Sequence, residues 1–203
     1  MIVVGLTGSI AMGKSTVAAM FAAEGAPVFD GDSTVHALYR GAGAPVVEAA
    51  FPGVVRQGAV DRDRLARIVL ADSAALARLE GIVHPMVARA RQEFLSGAAA
   101  ERRRLVVVDI PLLFETGGDR SVDVIVVVSA SQSTQRARAL ARDGMTRERF
   151  EQVVAKQTPD REKRRRAHLV VDTNGAIEAT RRQVRGFLRC AAPMIGGRAS
   201  FDA

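Results

Sequence analysis

Residues 2–16 read Ile2-Val3-Val4-Gly5-Leu6-Thr7-Gly8-Ser9-Ile10-Ala11-Met12-Gly13-Lys14-Ser15-Thr16, and the order of these residues decides the fold. The first six form an apolar, β-branched run of the kind buried inside a parallel sheet. Gly8 to Ser15 fit the pattern G-x-x-x-x-G-K-[ST], and a helical pattern runs from Ser15 to Ala23 and stops at Gly25. Strand, glycine loop and helix, in that order, are the setting a phosphate-binding loop requires.

The chemistry asks for these residue types. Gly8 and Gly13 permit dihedrals that turn successive backbone N–H groups inward, and Ala11 and Met12 belong to the same anion nest. The positive end of the following helix adds to the attraction for phosphate. Lys14, one of only three lysines among 29 basic residues, would reach the β- and γ-phosphates as a movable point charge. Ser15 would ligate Mg²⁺, and Thr16 would donate to the α-phosphate side. No Asn-Lys-x-Asp tetrapeptide occurs, which disfavours a GTPase. Val106-Val107-Val108-Asp109 runs into Ile110-Pro111 and lacks the Asp-Glu pair of a motor or remodelling ATPase. ATP is the expected nucleotide. Asp109 reads as a carboxylate that touches Mg²⁺ through water, or as a strand-end residue capping its loop.

Outward from this loop the alternation continues. Leu105–Ile110, Val124–Ser129 and Leu169–Asp172 read as further buried strands, Pro27–Asp30 as a shorter fifth, and Ser133–Arg142 as an intervening helix. The class expected is α/β, a five-stranded parallel sheet flanked by helices, with ligands at the carboxyl ends of the strands. Between Asp32 and Arg104 the alternation breaks into successive helices, around Val35–Tyr39, Pro45–Phe51, Arg62–Leu70, Ala74–Val83 and Met86–Leu95. Asp61 and Ser73 stand where N-caps belong. This stretch reads as a helical insertion that holds the acceptor substrate. Arg142–Arg166, polar and basic, reads as a lid that closes over the phosphates. The divisions expected within one domain are a nucleotide core of residues 1–31, 104–134 and 167–192, a helical subdomain of 32–103 and a lid of 135–166. The tail from Pro193 reads as weakly ordered.

Composition narrows the class. The chain has 203 residues, 48% of them hydrophobic, enough for one substantial core. Its formal charge of +7 suits anionic partners, but with no Trp and one Tyr it lacks a base-stacking platform for single-stranded nucleic acid. One cysteine, Cys190, forms no internal disulfide, and no run approaches the roughly 20 apolar residues that span a bilayer. A cytoplasmic protein, a monomer, without nucleic-acid or membrane partners, is the expectation.

Asp30-Gly31-Asp32 ends the second strand, whose carboxyl end opens toward the nucleotide site in a doubly wound fold. A carboxylate there suits the task of taking up the acceptor hydroxyl's proton, and Asp32, beyond the strand, is the better candidate than Asp30. Capping of the next helix by both is the plainer reading. His84, before Pro85, is a candidate substrate contact or a structural hydrogen-bonding residue at a helix junction. Arg102–Arg104 and Arg164–Arg166 read as solvated surface, the second also as an anion cluster in the lid.

From residue 3 to about 175 the chain resembles dephospho-CoA kinase. The resemblance rests on Gly5-Leu6-Thr7-Gly8 with Gly13-Lys14-Ser15-Thr16, Asp30-Gly31-Asp32, and Val60-Asp61-Arg62 with Leu65. Further along, it rests on Leu79-Glu80-Gly81-Ile82-Val83-His84-Pro85, Asp109-Ile110-Pro111-Leu112-Leu113-Phe114-Glu115, Gln135 with Arg138, Arg142 and Asp143, and Gln157 before Lys163. It implies phosphoryl transfer from ATP, with Mg²⁺, to the ribose 3′-hydroxyl of dephospho-CoA. It also implies Asp32 as the catalytic aspartate, Arg142 as a lid arginine near the phosphates and Arg138 as a substrate contact. The chain departs from the family at Ser9, Ala11 and Met12, where the loop is commonly Gly-Gly-Ile-Gly-Ser-Gly-Lys. It departs again at Val153, where a lid arginine is expected, and at Thr173-Asn174-Gly175 in place of Asn-Ser-Gly. Another P-loop small-molecule kinase, such as a nucleoside monophosphate kinase, and an ATP-using nucleic-acid-binding protein are the rival readings.

Overall fold

A computed structural model describes residues 1–191, so the tail from Pro193 and the last residue of the expected core, 192, lie outside the described residues. Five strands form a sheet in the order β2-β5-β1-β6-β7: β1 (Ile2–Thr7), β2 (Val28–Asp30), β5 (Leu105–Asp109), β6 (Val124–Ser129) and β7 (Leu169–Asp172). β1 lies at the centre, parallel to β5 on one side and to β6 on the other, and β6 runs parallel to β7. Every residue of β1 and β6 is buried, which explains why both read as unbroken apolar runs. β5 ends one residue short of the expected Ile110, whose N–H is taken by Leu6 O at 2.9 Å.

Contacts divide the chain into two units: Met1–Phe29 with the chain from Ala98 on, and Asp30–Gly97. The first holds α1 (Lys14–Ala23), α6 (Gln132–Leu140), α7 (Arg147–Ala155), α8 (Asp160–Arg166) and α9 (Ile177–Ala191). Its core joins Val4, Leu6, Val17 and Phe21 to Val126, Val128, Val171 and Val184, and Phe21 meets Phe187 edge-to-face with ring centroids 5.9 Å apart.

The second unit is helical: α2 (Gly31–Tyr39), α3 (Gly43–Ala50), α4 (Arg62–Ala71) and most of α5 (Ser73–Ala100). Val47, Phe51, Val54, Leu65, Val69, Leu79 and Val83 make its core. Two sequence expectations change here. The segments expected at Ala74–Val83 and Met86–Leu95 are one 28-residue helix with Pro85 inside it, so His84 is mid-helix and at no junction. A proline costs one helical hydrogen bond and crowds the carbonyl four residues back. That residue is Gly81, and the apolar face on either side, Leu79 and Val83 among it, keeps the helix running through the defect. The cap of α5 is Asp72, whose Oδ1 accepts from Ala74 N at 2.8 Å, and not Ser73. Asp61 caps α4 as expected, accepting from Arg64 N at 3.1 Å. A hairpin of β3 (Val55–Arg56) and β4 (Ala59–Val60) escapes periodicity analysis because each strand has two residues. Gln57 and Gly58, both with positive φ, make its turn.

Candidate active site

β1 delivers its last residue, Thr7, into a tight turn in which the first glycine is a steric necessity. A Cβ on Gly8 would lie 2.7 Å from Val128 O. Gly13, at φ 92, caps α1 in the left-handed region, and Ala11 shares that region at φ 61. The turn closes with Met12 N donating to Ser9 O at 3.2 Å. Its amides and the start of α1 form the concave, dipole-backed surface that suits phosphate.

Lys14 and Asp109 are brought together: the Lys14 ammonium pairs with Asp109 Oδ1, and the Asp109 side chain is only 6% exposed. Ser15 and Thr16 are exposed at the first turn of α1. A hydroxyl and a buried carboxylate are hard oxygen donors of the kind Mg²⁺ takes, and the carboxylate already draws a cation to this spot.

Around the loop stands a set of braces that motif analysis does not reveal. Thr173 Oγ1 donates to Met12 O at 2.8 Å, and Arg138 donates to Thr173 Oγ1 at 3.0 Å and to Thr173 O at 2.6 Å. The Arg138 fork is therefore engaged with the chain after β7. Met12, buried, accepts from Ala130 N on its sulfur at 3.1 Å. Gln135 and Gln157 hold Ile10 from opposite sides. Their signal in the sequence is their place in the family pattern, without a mechanism attached. Arg142 lies exposed in the turn after α6, its N–H on Ala139 O at 3.1 Å.

Glu115, after β5, accepts from Thr158 N at 2.7 Å and lies 2.9 Å from the Lys163 ammonium, whose side chain is fully buried. Burial pushes the Glu115 carboxyl up, but the Lys163 and Thr158 hydrogen bonds outweigh it and hold it below the usual carboxylate range. Of the basic run 164–166, Arg166 is structural: it pairs with Asp119 at 2.7 Å and lies over the Phe114 ring at 4.2 Å.

In the helical unit, Asp30 caps α2: Oδ1 accepts from Asp32 N at 2.9 Å and Ser33 N at 3.3 Å, and Oδ2 from Ser33 Oγ at 2.8 Å. Asp32, exposed in the first helical turn, lines a cavity of about 870 Å³. The spacing of residues 32, 35, 36 and 39 puts Asp32, Val35, His36 and Tyr39 on one helical face, and Arg62, Leu65 and Val69 of α4 face the same space. Arg62 Nη1 lies 3.0 Å from His36 Nε2. Burial raises the Tyr39 hydroxyl's pKa against the opposing pull of Arg62, so it stays a donor at neutral pH. His84, exposed on α5, is not part of the cavity wall; His36 is the histidine found there. The 32/35/36/39 spacing is the signal that would have found it.

A five-stranded parallel sheet with β1 central, a phosphate loop leading into α1 and a helical unit after β2 define a P-loop kinase. The family model for dephospho-CoA kinase (CoaE) matches residues 2–179. The chain belongs to the dephospho-CoA kinase family. The dephospho-CoA kinase of Rhodopseudomonas palustris is 52% identical over 194 residues, 96% of this chain and 98% of the relative. That of Mesorhizobium japonicum is 54% identical over 184 residues, 91% of this chain and 93% of the relative. Among solved structures, a Thermus thermophilus protein matches with a TM-score of 0.76 and 37% identity over 93% of this chain and 96% of its own. The dephospho-CoA kinase of Campylobacter jejuni shares the fold at a TM-score of 0.69 and 20% identity, with 93% and 96% covered. Family membership sets aside the nucleoside monophosphate kinase and the ATP-using nucleic-acid-binding protein. Among the described residues no helix is long and apolar enough to cross a membrane.

Proposed function

We propose that this protein transfers the γ-phosphoryl group of ATP to the ribose 3′-hydroxyl of dephospho-CoA, giving CoA and ADP, the last step of coenzyme A biosynthesis. The observation that carries the reading is a phosphate loop of the geometry described, in a chain half-identical to dephospho-CoA kinases over nearly its whole length.

The acceptor oxygen attacks the γ-phosphorus as the bond to the β,γ-bridging oxygen breaks, and the hydroxyl proton passes to the Asp32 carboxylate. In the first turn of α2 and exposed to the cavity, that carboxylate is open to an acceptor hydroxyl. Lys14 leaves Asp109 for the β- and γ-oxygens when the triphosphate enters, and Gly8, Ala11, Met12 and Gly13 present their backbone to the phosphates, with Thr16 on the α-phosphate side. Ser15 and Asp109 would hold Mg²⁺, which would neutralise charge on the phosphate oxygens. Arg142, exposed beyond α6, supplies a fork-shaped cation to charge spread over the transferring group.

The cavity in the helical unit receives the acceptor. Val35, Leu65 and Val69 offer apolar wall, and Arg62 and His36 offer charge and hydrogen bonds to an anionic, nucleotide-like ligand. Arg138, engaged with Thr173, serves the reaction by fixing Met12, and His84 is a peripheral acceptor contact at most. The working unit proposed is a single chain in the cytoplasm. Purified protein with ATP and Mg²⁺ should convert dephospho-CoA to CoA with one ADP per turnover. In a panel of AMP, UMP, adenosine and dephospho-CoA, preferred phosphorylation of any acceptor but the last would overturn the proposal.

A further inference from the structure

One residue of the phosphate loop, Ile10, is held by two glutamines through the two peptide groups that flank it. Ile10 N–H donates to Gln157 Oε1 at 3.0 Å, and Ile10 O accepts from Gln135 Nε2 at 2.9 Å. Gln135 is buried on α6, and Gln157 stands in the turn after α7 with its own N–H on Val154 O at 3.1 Å. That turn is tied down in its own right. The next residue, Thr158, donates to Glu115, and Lys163 of the following helix shares the same carboxylate.

The residue after Ile10 is Ala11, at φ 61 and 6% exposed. A side chain in the left-handed region crowds the following carbonyl, and such a residue persists only where its surroundings over-determine it. Those surroundings are specific. On the far side Met12 is fixed by Thr173 through its carbonyl and by Ala130 through its sulfur. Ala11 is thus pinned between two braced residues, at a position where glycine would need no brace.

We infer that Gln157, seconded by Gln135, is a positioning residue for phosphoryl transfer: the two fix the peptides on either side of Ile10, Gln157 the Ser9–Ile10 peptide and Gln135 the Ile10–Ala11 peptide, so that Ala11 stays left-handed and the loop keeps its phosphate-binding shape before nucleotide arrives. The Ile10 N–H is committed to this bond and so serves the loop's shape. Without the clamp, Ala11 relaxes toward ordinary dihedrals, part of the population loses the nest, and apparent affinity falls by the competent fraction.

The inference rests on the reading that this loop binds ATP. Its test is a double-mutant cycle read as ATP·Mg²⁺ affinity by titration calorimetry in wild type, Gln157→Met, Ala11→Gly and the double variant. Methionine keeps the bulk of Gln157 and removes the acceptor. Gln157→Met should weaken binding about tenfold where Ala11 is present and less than about threefold in the Ala11→Gly background, since glycine adopts the required φ freely. Should Gln157→Met fail to fold by circular dichroism, Gln157→Asn withdraws the same oxygen by one methylene and must give the same pattern. Equal losses in both backgrounds, or none in either, overturn the clamp. Failure of the wild type to bind ATP overturns the reading of the loop instead.

Discussion

Ala11 and Asp32 show what a single residue does to this chain. Ala11 carries a backbone conformation that costs a non-glycine residue about 1–2 kcal/mol. Glycine removes that cost but enlarges the unfolded ensemble by about 0.4–1 kcal/mol. Relief of strain outweighs the added entropy, so Ala11→Gly should raise stability by about 0.5–1 kcal/mol and the melting temperature by about 1–4 °C. A lower melting temperature in calorimetry would mean that the φ of 61 is not strained here. Asp32 separates from Asp30 by hydrogen bonding: Asp30 is consumed as a helix cap, and Asp32 faces the cavity. Asp32→Asn should leave ATP affinity nearly intact and depress turnover by about two orders of magnitude or more, because the amide cannot take the proton. Turnover at the wild-type rate would remove Asp32 from the mechanism. The distinction between the two aspartates is legible in the sequence, since a strand end followed by a helix start demands a cap and leaves the other carboxylate over. The Thr173 brace is not, because its partner Met12 lies 161 positions away and no local pattern links them.

At the scale of elements, legibility follows the length of each apolar pattern. β1 and β6 can be read to the residue because burial on both faces forces an unbroken apolar run. α5 reads as two helices because Pro85 is a local breaker, and the packing that carries the helix past it has no local signature. α8, seven residues with four basic side chains in its last turn, reads as surface or lid, yet it is fastened from inside by Lys163 on Glu115. That pair ties α8 to the chain after β5, and the tie has a pH signature. Folded Glu115 binds its proton less readily than its ordinary value of 4.5 implies, so below that value the unfolded chain holds more protons and stability falls with pH. Its contribution is complete above 4.5 and gone once pH has dropped through the folded value. Glu115→Gln leaves the buried Lys163 ammonium without a counter-charge and should cost about 3 kcal/mol at neutral pH. In urea titrations the gap between wild type and variant should narrow as pH falls from about 6 to about 3. A constant gap would mean that Glu115 does not act through its charge.

For the whole molecule, what matters is that ligand affinity and stability are one linked quantity. The alternation of strands and helices is enough to give the fold class, while strand order cannot be read, since long-range pairing is decided by crossover handedness and packing and not by any one segment. A chain of net charge +7 draws anions to many places, so bulk attraction for ATP does not by itself locate a site. Linkage does. A ligand that binds only the folded state stabilises it by about 2.7 kcal/mol at a hundredfold excess over its Kd, which for a chain of this size is about 5–10 °C in the transition that unfolds the sheet. ATP·Mg²⁺ should produce that rise in wild type and in Asp32→Asn, whose loop is intact. Lys14→Ala should melt lower without ligand, because Asp109 loses its ion pair, and should gain little from ATP, because the β- and γ-phosphates lose their ammonium. The contrast is read within each variant, with and without nucleotide, which cancels the starting difference. Diffuse attraction to 29 basic residues would survive the loss of one lysine, so an undiminished rise in Lys14→Ala would place ATP elsewhere on the surface and end the assignment of Gly8 to Thr16 as its binding loop.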